Sequence, residues 1–259
     1  MLIDYAKKIL TRKRADELLT EAGLAQSRSQ AQALIMAGGV RARDRPVLKA
    51  GEKLPDGTVF TLTPRRRFVS RGGLKLEGAL QDLGLDPAGL VALDVGASTG
   101  GFTDCLLQYG AVRVMAVDVG RNLIDSRLRA DPRVTLVEGL NARRLATELS
   151  SQSFDLITMD VSFISLELVL PQAACLLRPE GWLLALVKPQ FEVGRAQVGK
   201  KGVVRDPAAI KAAVDKISAL GLFLTPPRSE AGRAPSRLAG PAGNQEVFIL
   251  FRLAAVAVD

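Results

Sequence analysis

The chain has 259 residues, enough for one large domain or for a medium and a small one. Apolar residues make up 47%, which supports a packed core, and the net charge of +8 points to a polyanionic partner, nucleic acid before anionic membrane. Histidine is absent, which excludes histidine triads, histidine metal sites and histidine general bases together.

Residues 1–11 read as a short amphipathic helix or lead-in. Their charged start has no long apolar core, so no signal peptide is expected. No run approaches the roughly 20 apolar residues that span a bilayer. Residues 12–23 follow a helical period, with Ala15, Leu18 and Leu19 on one face and Gly23 as the stop. Ser27 suits the N-cap of a helix over 28–37 with Ala31, Leu34 and Ile35 inward. Gly38 and Gly39 end it. Residues 40–43 alternate as a strand, 49–53 form a turn, and 58–62 make a last strand.

Two short helices, then Gly-Gly-Val-Arg-Ala, then a Lys-Ala-Gly-Glu turn resemble the αL RNA-binding motif of the ribosomal small-subunit protein four family, over residues 12–63. The cations Arg12, Lys13, Arg14, Arg28, Arg41, Arg43 and Arg45 suit contacts to phosphates, which give affinity without sequence readout. Taken singly, each such arginine reads more readily as part of a solvated basic face; taken as a set, they favour RNA binding. Residues 64–68, Pro-Arg-Arg-Arg-Phe, read as a linker with Arg66 as a further RNA contact. Residues 70–73 lead into a helix over 74–83. Lys75 sits in its first turn, where a cation is mildly unfavourable, so Lys75 faces solvent or has a task.

From residue 90 the pattern alternates strand and helix. Strands fit at 90–94, 113–117, 133–137, 154–159, 182–187, 221–226 and 246–252, with helices at 102–109, 143–149, 166–177 and 207–219 among the gaps. This is an α/β, doubly wound, Rossmann-like sheet of the class I methyltransferase form. No helix separates the last two strands, so the seventh is expected to insert antiparallel. The expected domains are a small α+β RNA-binding domain over 1–63, a linker over 64–72 and a seven-stranded α/β domain over 73–259.

The segment 93–104, Leu-Asp-Val-Gly-Ala-Ser-Thr-Gly-Gly-Phe-Thr-Asp, is a strand–glycine turn–helix. Such a turn holds a nucleotide-like cofactor beyond the carboxyl ends of the strands. Gly96, Gly100 and Gly101 permit the turn, and free N–H groups are offered at the helix start. Ser98 stands where the dinucleotide fingerprint needs its middle glycine, and no lysine follows as in a P-loop. S-adenosylmethionine fits what remains. Asp94 is placed to hold its amino group, Asp118 its ribose, and Asn141, just past the third strand, its adenine.

Asp160 and Lys188 end the fourth and fifth strands, and Glu246 begins the seventh, on the same sheet edge if that strand is antiparallel. Lys75 can join them. Lysines interleaved with carboxylates make a base site suited to a poor nucleophile such as a ribose 2′-hydroxyl; a structural ion-pair network is the alternative reading. Asp160-Val161-Ser162-Phe163 lacks the prolines of adenine amino-methyltransferases. Cys105 and Cys175 lie in apolar helical patterns, unlike a pyrimidine carbon-5 nucleophile, and suit a reducing cytosol. No metal is required. Residues 189–206, with Arg195, Lys200, Lys201 and Arg205, read as an RNA-contacting flap.

The motifs VSRGGLKL (69–76), LDVGASTGGFTD (93–104), MDVSFIS (159–165), LVKPQFEVG (186–194) and GNQEVF (243–248) closely resemble TlyA-type proteins over nearly the whole chain. The resemblance implies an αL RNA-binding domain joined to an FtsJ-like domain that methylates cytidine 2′-hydroxyls of 16S or 23S ribosomal RNA with S-adenosylmethionine, in the cytoplasm. It also implies a Lys-Asp-Lys-Glu tetrad at Lys75, Asp160, Lys188 and Glu246, with the second lysine deprotonating the hydroxyl. Phe68 stands where family linkers often carry tryptophan. Some members carry a haemolysin label. That label and a non-catalytic ribosome-assembly role are the alternatives, and monomer or homodimer stays open.

Overall fold

The computed structural model describes residues 11–36, 38–62 and 67–253. The expected helix or lead-in over 1–11 lies, apart from Thr11, outside the described residues, as does Arg66. The chain divides into two compact units, Met1–Arg66 and Arg67–Asp259.

The first unit contains β1 (Arg12–Arg14), α1 (Ala15–Glu21), α2 (Arg28–Met36), β2 (Val40–Ala42), β3 (Arg45–Pro46), β4 (Lys53–Pro55) and β5 (Phe60–Leu62). Ala15, Leu18, Leu19, Ala31 and Ile35 bury the helix faces, as their spacing requires. The Ser27 hydroxyl accepts from the Gln30 N–H at 3.2 Å and caps α2. Residues 12–14, expected as the first helical turn, are instead extended and pair antiparallel with β4, Arg12 opposite Pro55. Three residues with a single apolar anchor, Leu54, carry too little alternation to reveal such a ladder.

The second unit is organised on one sheet in the order β11-β12-β10-β9-β6-β7-β8. Its strands are β6 (Val91–Val95), β7 (Arg113–Asp118), β8 (Val134–Glu138), β9 (Phe154–Met159), β10 (Leu177–Val187), β11 (Arg228–Pro235) and β12 (Val247–Leu253). Its helices are α3 (Arg71–Leu83), α4 (Gly101–Gln108), α5 (Ser126–Arg129), α6 (Leu145–Glu148), α7 (Leu170–Ala174), α8 (Pro189–Glu192) and α9 (Pro207–Leu220). Strands β6 to β10 run parallel, and β12 inserts antiparallel between β10 and β11. Two apolar cores cover the sheet faces. Strand alternation sorts residues between them: Leu93 and Val95 face one core, Ala92 the other.

Three expectations change. Residues 67–72 are not linker: Phe68 is 2% exposed in the second unit's core, and α3 starts at Arg71 with Ser70 as N-cap. The sixth strand is not 221–226. Pro226 and Pro227 offer no N–H to a ladder, Leu222 and Phe223 are exposed, and the strand is the more polar 228–235. That stretch is an edge strand with a register shift between Glu230 and Gly232, which hides its period. The helix expected over 166–177 is a 3-10 turn and the short α7, because Leu177 already pairs with Phe154 in the sheet.

Candidate active site

Strand β6 delivers the chain into a turn in which Gly96 and Gly100 take positive φ of 84° and 91°, and Ser98 one of 50°. The Gly96 and Ala97 N–H groups donate to the Val117 carbonyl at 2.9 and 3.1 Å, which ties the turn to the neighbouring strand end. A cavity of about 600 Å³ opens there, lined among others by Gly96, Ser98, Asp118, Asn141, Asp160 and Phe163. Asp118 spans its rim: one carboxylate oxygen accepts from Ser98 N–H at 2.8 Å and the other from Gly120 N–H at 2.7 Å. Each oxygen keeps a lone pair for a ligand hydroxyl. Asn141 lines the cavity while its side-chain oxygen accepts from the Arg143 N–H at 3.0 Å.

Asp94, Gly100 and Gly101 are not among the residues lining this cavity. A Cβ at Gly101 would stand 2.2 Å from the Ser70 hydroxyl, so the missing side chain serves the packing of α4 against α3. Asp94 shares the strand face of Ala92 and turns toward α4. It is fully buried, accepting from Thr103 at 2.7 Å and from the cross-strand Thr158 hydroxyl at 3.3 Å. Burial pushes its carboxyl up to about 7, with the nearby Asp160 charge adding to the rise. The unfolded value is near 3.9. Between those limits the folded chain holds a proton that the unfolded chain releases, so stability present at low pH is lost as pH rises through about 7. Asp94→Asn is expected to flatten this fall and to raise stability at pH 8 by up to about 4 kcal/mol. A melting point at pH 8 no higher than that of the unaltered protein would contradict it.

The polar strand ends form two ion pairs. Lys188 Nζ lies 2.6 Å from Asp160 and donates to the Ser162 hydroxyl at 2.7 Å. Lys75 Nζ lies 2.5 Å from a Glu246 oxygen. Lys75, Lys188 and Glu246 are buried. The two pairs stand on adjacent strand ends, because extending the Val187–Val247 pairing by one residue sets Lys188 opposite Glu246. Among the described residues, the second Glu246 oxygen is buried without a hydrogen-bond donor. The Asp160 oxygen nearest Lys188 has an ionic contact but no aligned hydrogen bond. Buried ion pairs are weak sources of stability, and an open acceptor in such a cluster suits a substrate donor.

Three further residues join this edge without having been singled out from sequence. Ser162 receives the Lys188 hydrogen bond. Phe163 is 91% exposed, has a φ of 64°, and lies with its ring 5.3 Å from that of Phe191. Glu192 accepts from Ser165 at 2.6 Å and from the Leu166 N–H at 2.9 Å. The sequence signal for Phe163 was the aromatic after Asp160-Val161-Ser162, which says nothing by itself about exposure.

In the first unit, Arg14 forms a two-pronged contact with Asp16 at 2.9 and 2.8 Å, and holds that carboxyl well below the usual range. Arg28 also approaches Asp16, at 3.5 Å, and Glu17, at 3.4 Å. Arg41 donates to the Asp44 carbonyl, and Arg43 is exposed on a turn with a φ of 53°. The flap is clasped from outside by the buried Asn244, whose side chain accepts from Val204 N–H at 2.9 Å and donates to the Gly202 carbonyl at 2.8 Å, while Lys200 stays exposed.

A family model described as FtsJ-like methyltransferase matches residues 68–253, and one for the S4 domain matches 13–59. The 16S/23S rRNA (cytidine-2′-O)-methyltransferase TlyA of Mycobacterium tuberculosis is 43% identical over 247 residues, covering 93% of this chain and 90% of that protein. Hemolysin A of Brachyspira hyodysenteriae is 37% identical over 243 residues, 92% of this chain and 99% of that one. A solved structure from Streptococcus thermophilus that bears the name hemolysin is 39% identical, with a TM-score of 0.70 over 95% of this chain and 90% of its own.

Proposed function

The chain belongs to the TlyA family of FtsJ-like methyltransferases, and from that premise we propose that it transfers a methyl group from S-adenosylmethionine to the 2′-hydroxyl of a cytidine in ribosomal RNA. The observation that carries the reading is the pairing of Lys188 with Asp160, beside a cavity that Asp160 itself lines. An enzyme of this kind works where ribosomes are, in the cytoplasm.

The residues present fit the cofactor. Gly96 closes directly on the Asp160 backbone, where a Cβ would lie 2.6 Å from the carbonyl oxygen, so the turn and the end of β9 form one unbroken wall of the cavity. Asp118 offers lone pairs to the ribose hydroxyls. Val119, Leu123 and Leu140 supply apolar wall for an adenine beside Asn141. Asp94 acts from beneath, holding α4 through Thr103. The bound cofactor supplies an electrophilic methyl group. Lys188 is the residue placed to take the hydroxyl proton, with Asp160 and Ser162 fixing the position of its nitrogen. Glu246, paired with Lys75, stands opposite Lys188 and backs the site from the neighbouring strand. Arg14, Arg28, Arg41 and Arg43 of the S4 domain, Arg66 of the linker and the flap supply contacts to the RNA backbone.

Phe163 presents an exposed ring next to Ser162, where the base of the target nucleotide would lie. Base–aromatic stacking contributes about 1–3 kcal/mol. Phe163→Ala is expected to raise KM for ribosomal RNA about 10-fold. An unaltered KM in steady-state transfer assays would remove the ring from the RNA site.

The test of the reaction is transfer of label from S-adenosylmethionine to intact ribosomal subunits and to free ribosomal RNA. Label in the RNA supports the reading. RNA binding without transfer to either substrate would favour the non-catalytic assembly role. For the haemolysin alternative, no helix among the described residues is long and apolar enough to cross a membrane.

A further inference from the structure

Two segments carry the lysine site on its RNA side: 160–166, which follows β9, and 188–192, which ends β10 and forms α8. They are joined by three rungs. At one end Lys188 meets Asp160 at 2.6 Å and Ser162 at 2.7 Å. In the middle the Phe163 and Phe191 rings lie 5.3 Å apart. At the other end the Glu192 carboxylate accepts from Ser165 at 2.6 Å and from Leu166 N–H at 2.9 Å.

The third rung is an expensive way to close a loop. Glu192 is buried, and burial pushes its carboxyl up. Both hydrogen-bonded partners are neutral groups, and the neighbouring cation, Lys216, is already paired with Glu167 at 2.9 Å. An apolar side chain would fill the same space without the desolvation cost. What the carboxylate adds is direction. It fixes the Ser165–Leu166 backbone, and so holds Phe163 in a left-handed conformation that its Cβ disfavours, with the ring turned outward.

We infer that Glu192 is a positioning residue for the transfer reaction. It holds segment 160–166 so that the Phe163 platform and the Asp160–Ser162 seat of Lys188 keep a fixed separation before RNA arrives. The inference rests on the 2′-O-methyltransferase reading, since it assigns Glu192 no contact with either substrate. Pre-set geometry of this kind matters because a displacement of about 1 Å costs about 100-fold in rate.

The test compares Glu192→Ala, Glu192→Gln, Phe163→Ala and the Glu192→Ala/Phe163→Ala double variant in the full chain, with ribosomal subunits as substrate and S-adenosylmethionine affinity measured separately. Glu192→Ala is expected to lower kcat/KM for RNA about 10- to 100-fold, with a smaller loss of cofactor affinity, because the segment it holds also lines the cofactor cavity. Glu192→Gln restores most of the rate, because its amide can still accept from Leu166 and donate to the Ser165 oxygen. The double variant is expected to be little worse than the poorer single variant, as coupled residues are. Losses that multiply, a Glu192→Ala rate equal to that of the unaltered protein, or a loss accounted for entirely by weaker cofactor binding would each overturn the inference. If Glu192→Ala does not fold, Ser165→Ala replaces it, with a smaller loss in the same parameter expected and an unchanged rate overturning the proposal. Absence of transfer by the unaltered protein overturns the underlying reaction, and this inference with it.

Discussion

Lys188→Ala is expected to lower methyl transfer to ribosomal RNA by about 1,000-fold or more, while S-adenosylmethionine binds as before. The expectation follows from what Lys188 touches. Its Nζ reaches Asp160 and Ser162, and neither contact belongs to the glycine turn or to the Asp118 rim. A ribose hydroxyl is a poor nucleophile until its proton has somewhere to go, and positioned acid–base groups supply about 100- to 10,000-fold. With histidine absent from the chain, lysine and carboxylate are the remaining candidates near the site. Removing the ammonium also leaves Asp160 without its cation, so some loss of stability accompanies the loss of rate. Lys188→Arg separates the two effects: it keeps a cation for Asp160 but cannot serve as a base at neutral pH. Transfer should therefore stay low in the arginine variant while the melting point recovers. Simultaneous loss of cofactor affinity and rate in both variants would make Lys188 a structural residue.

Gly96→Ala carries the second large effect, and here cofactor binding is what fails. Gly96 has a φ of 84°, and a Cβ there would lie 2.6 Å from the Asp160 carbonyl oxygen and 3.0 Å from its carbon. Both are backbone atoms, so no rotamer relieves the clash. The left-handed conformation itself costs a side chain about 1–2 kcal/mol. Moving the Asp160 backbone disturbs the cavity wall and the seat of Lys188 together. The expected outcome is a cofactor affinity reduced about 100-fold, or about 2.7 kcal/mol, with a melting point lower by several degrees. Gly84→Ala is the control. Gly84 also has a positive φ, 62°, but a Cβ there meets nothing within 4 Å. It should lower stability by the backbone term alone and leave cofactor affinity untouched. Calorimetric titration decides; normal affinity in Gly96→Ala would mean that the turn does not hold the cofactor.

The parts of this arrangement legible in the sequence are those that strand ends and alternation dictate. The absence of a helix before the last strand implied its antiparallel insertion, and that insertion brings Glu246 opposite Lys188. A cation in the first turn of a helix expected to start at residue 74 marked Lys75; α3 starts earlier, at Arg71, and what holds Lys75 is Glu246. The orientation of Asp94 was also encoded, since Leu93 and Val95 must share a core face and Asp94 must then turn the other way, toward Thr103. Less legible were features that depend on partners remote in sequence. The Arg12–Arg14 strand exists because Lys53–Pro55 comes back beside it. The 228–235 strand is held partly by the buried Arg228, whose guanidinium donates to the Pro179 carbonyl at 3.1 Å, and no hydrophobic period announces that contact. Phe163 is aromatic yet faces solvent, and its segment is tied at Ser165 and Leu166 to Glu192, remote in sequence.

The central claim is that this chain methylates a ribose hydroxyl of cytidine. Nuclease digestion of ribosomal RNA treated with the protein and labelled S-adenosylmethionine, followed by separation of nucleosides, tests it most directly. Label is expected in 2′-O-methylcytidine, and none when Lys188→Ala replaces the unaltered protein. Label on a base, or equal label from both proteins, would contradict it.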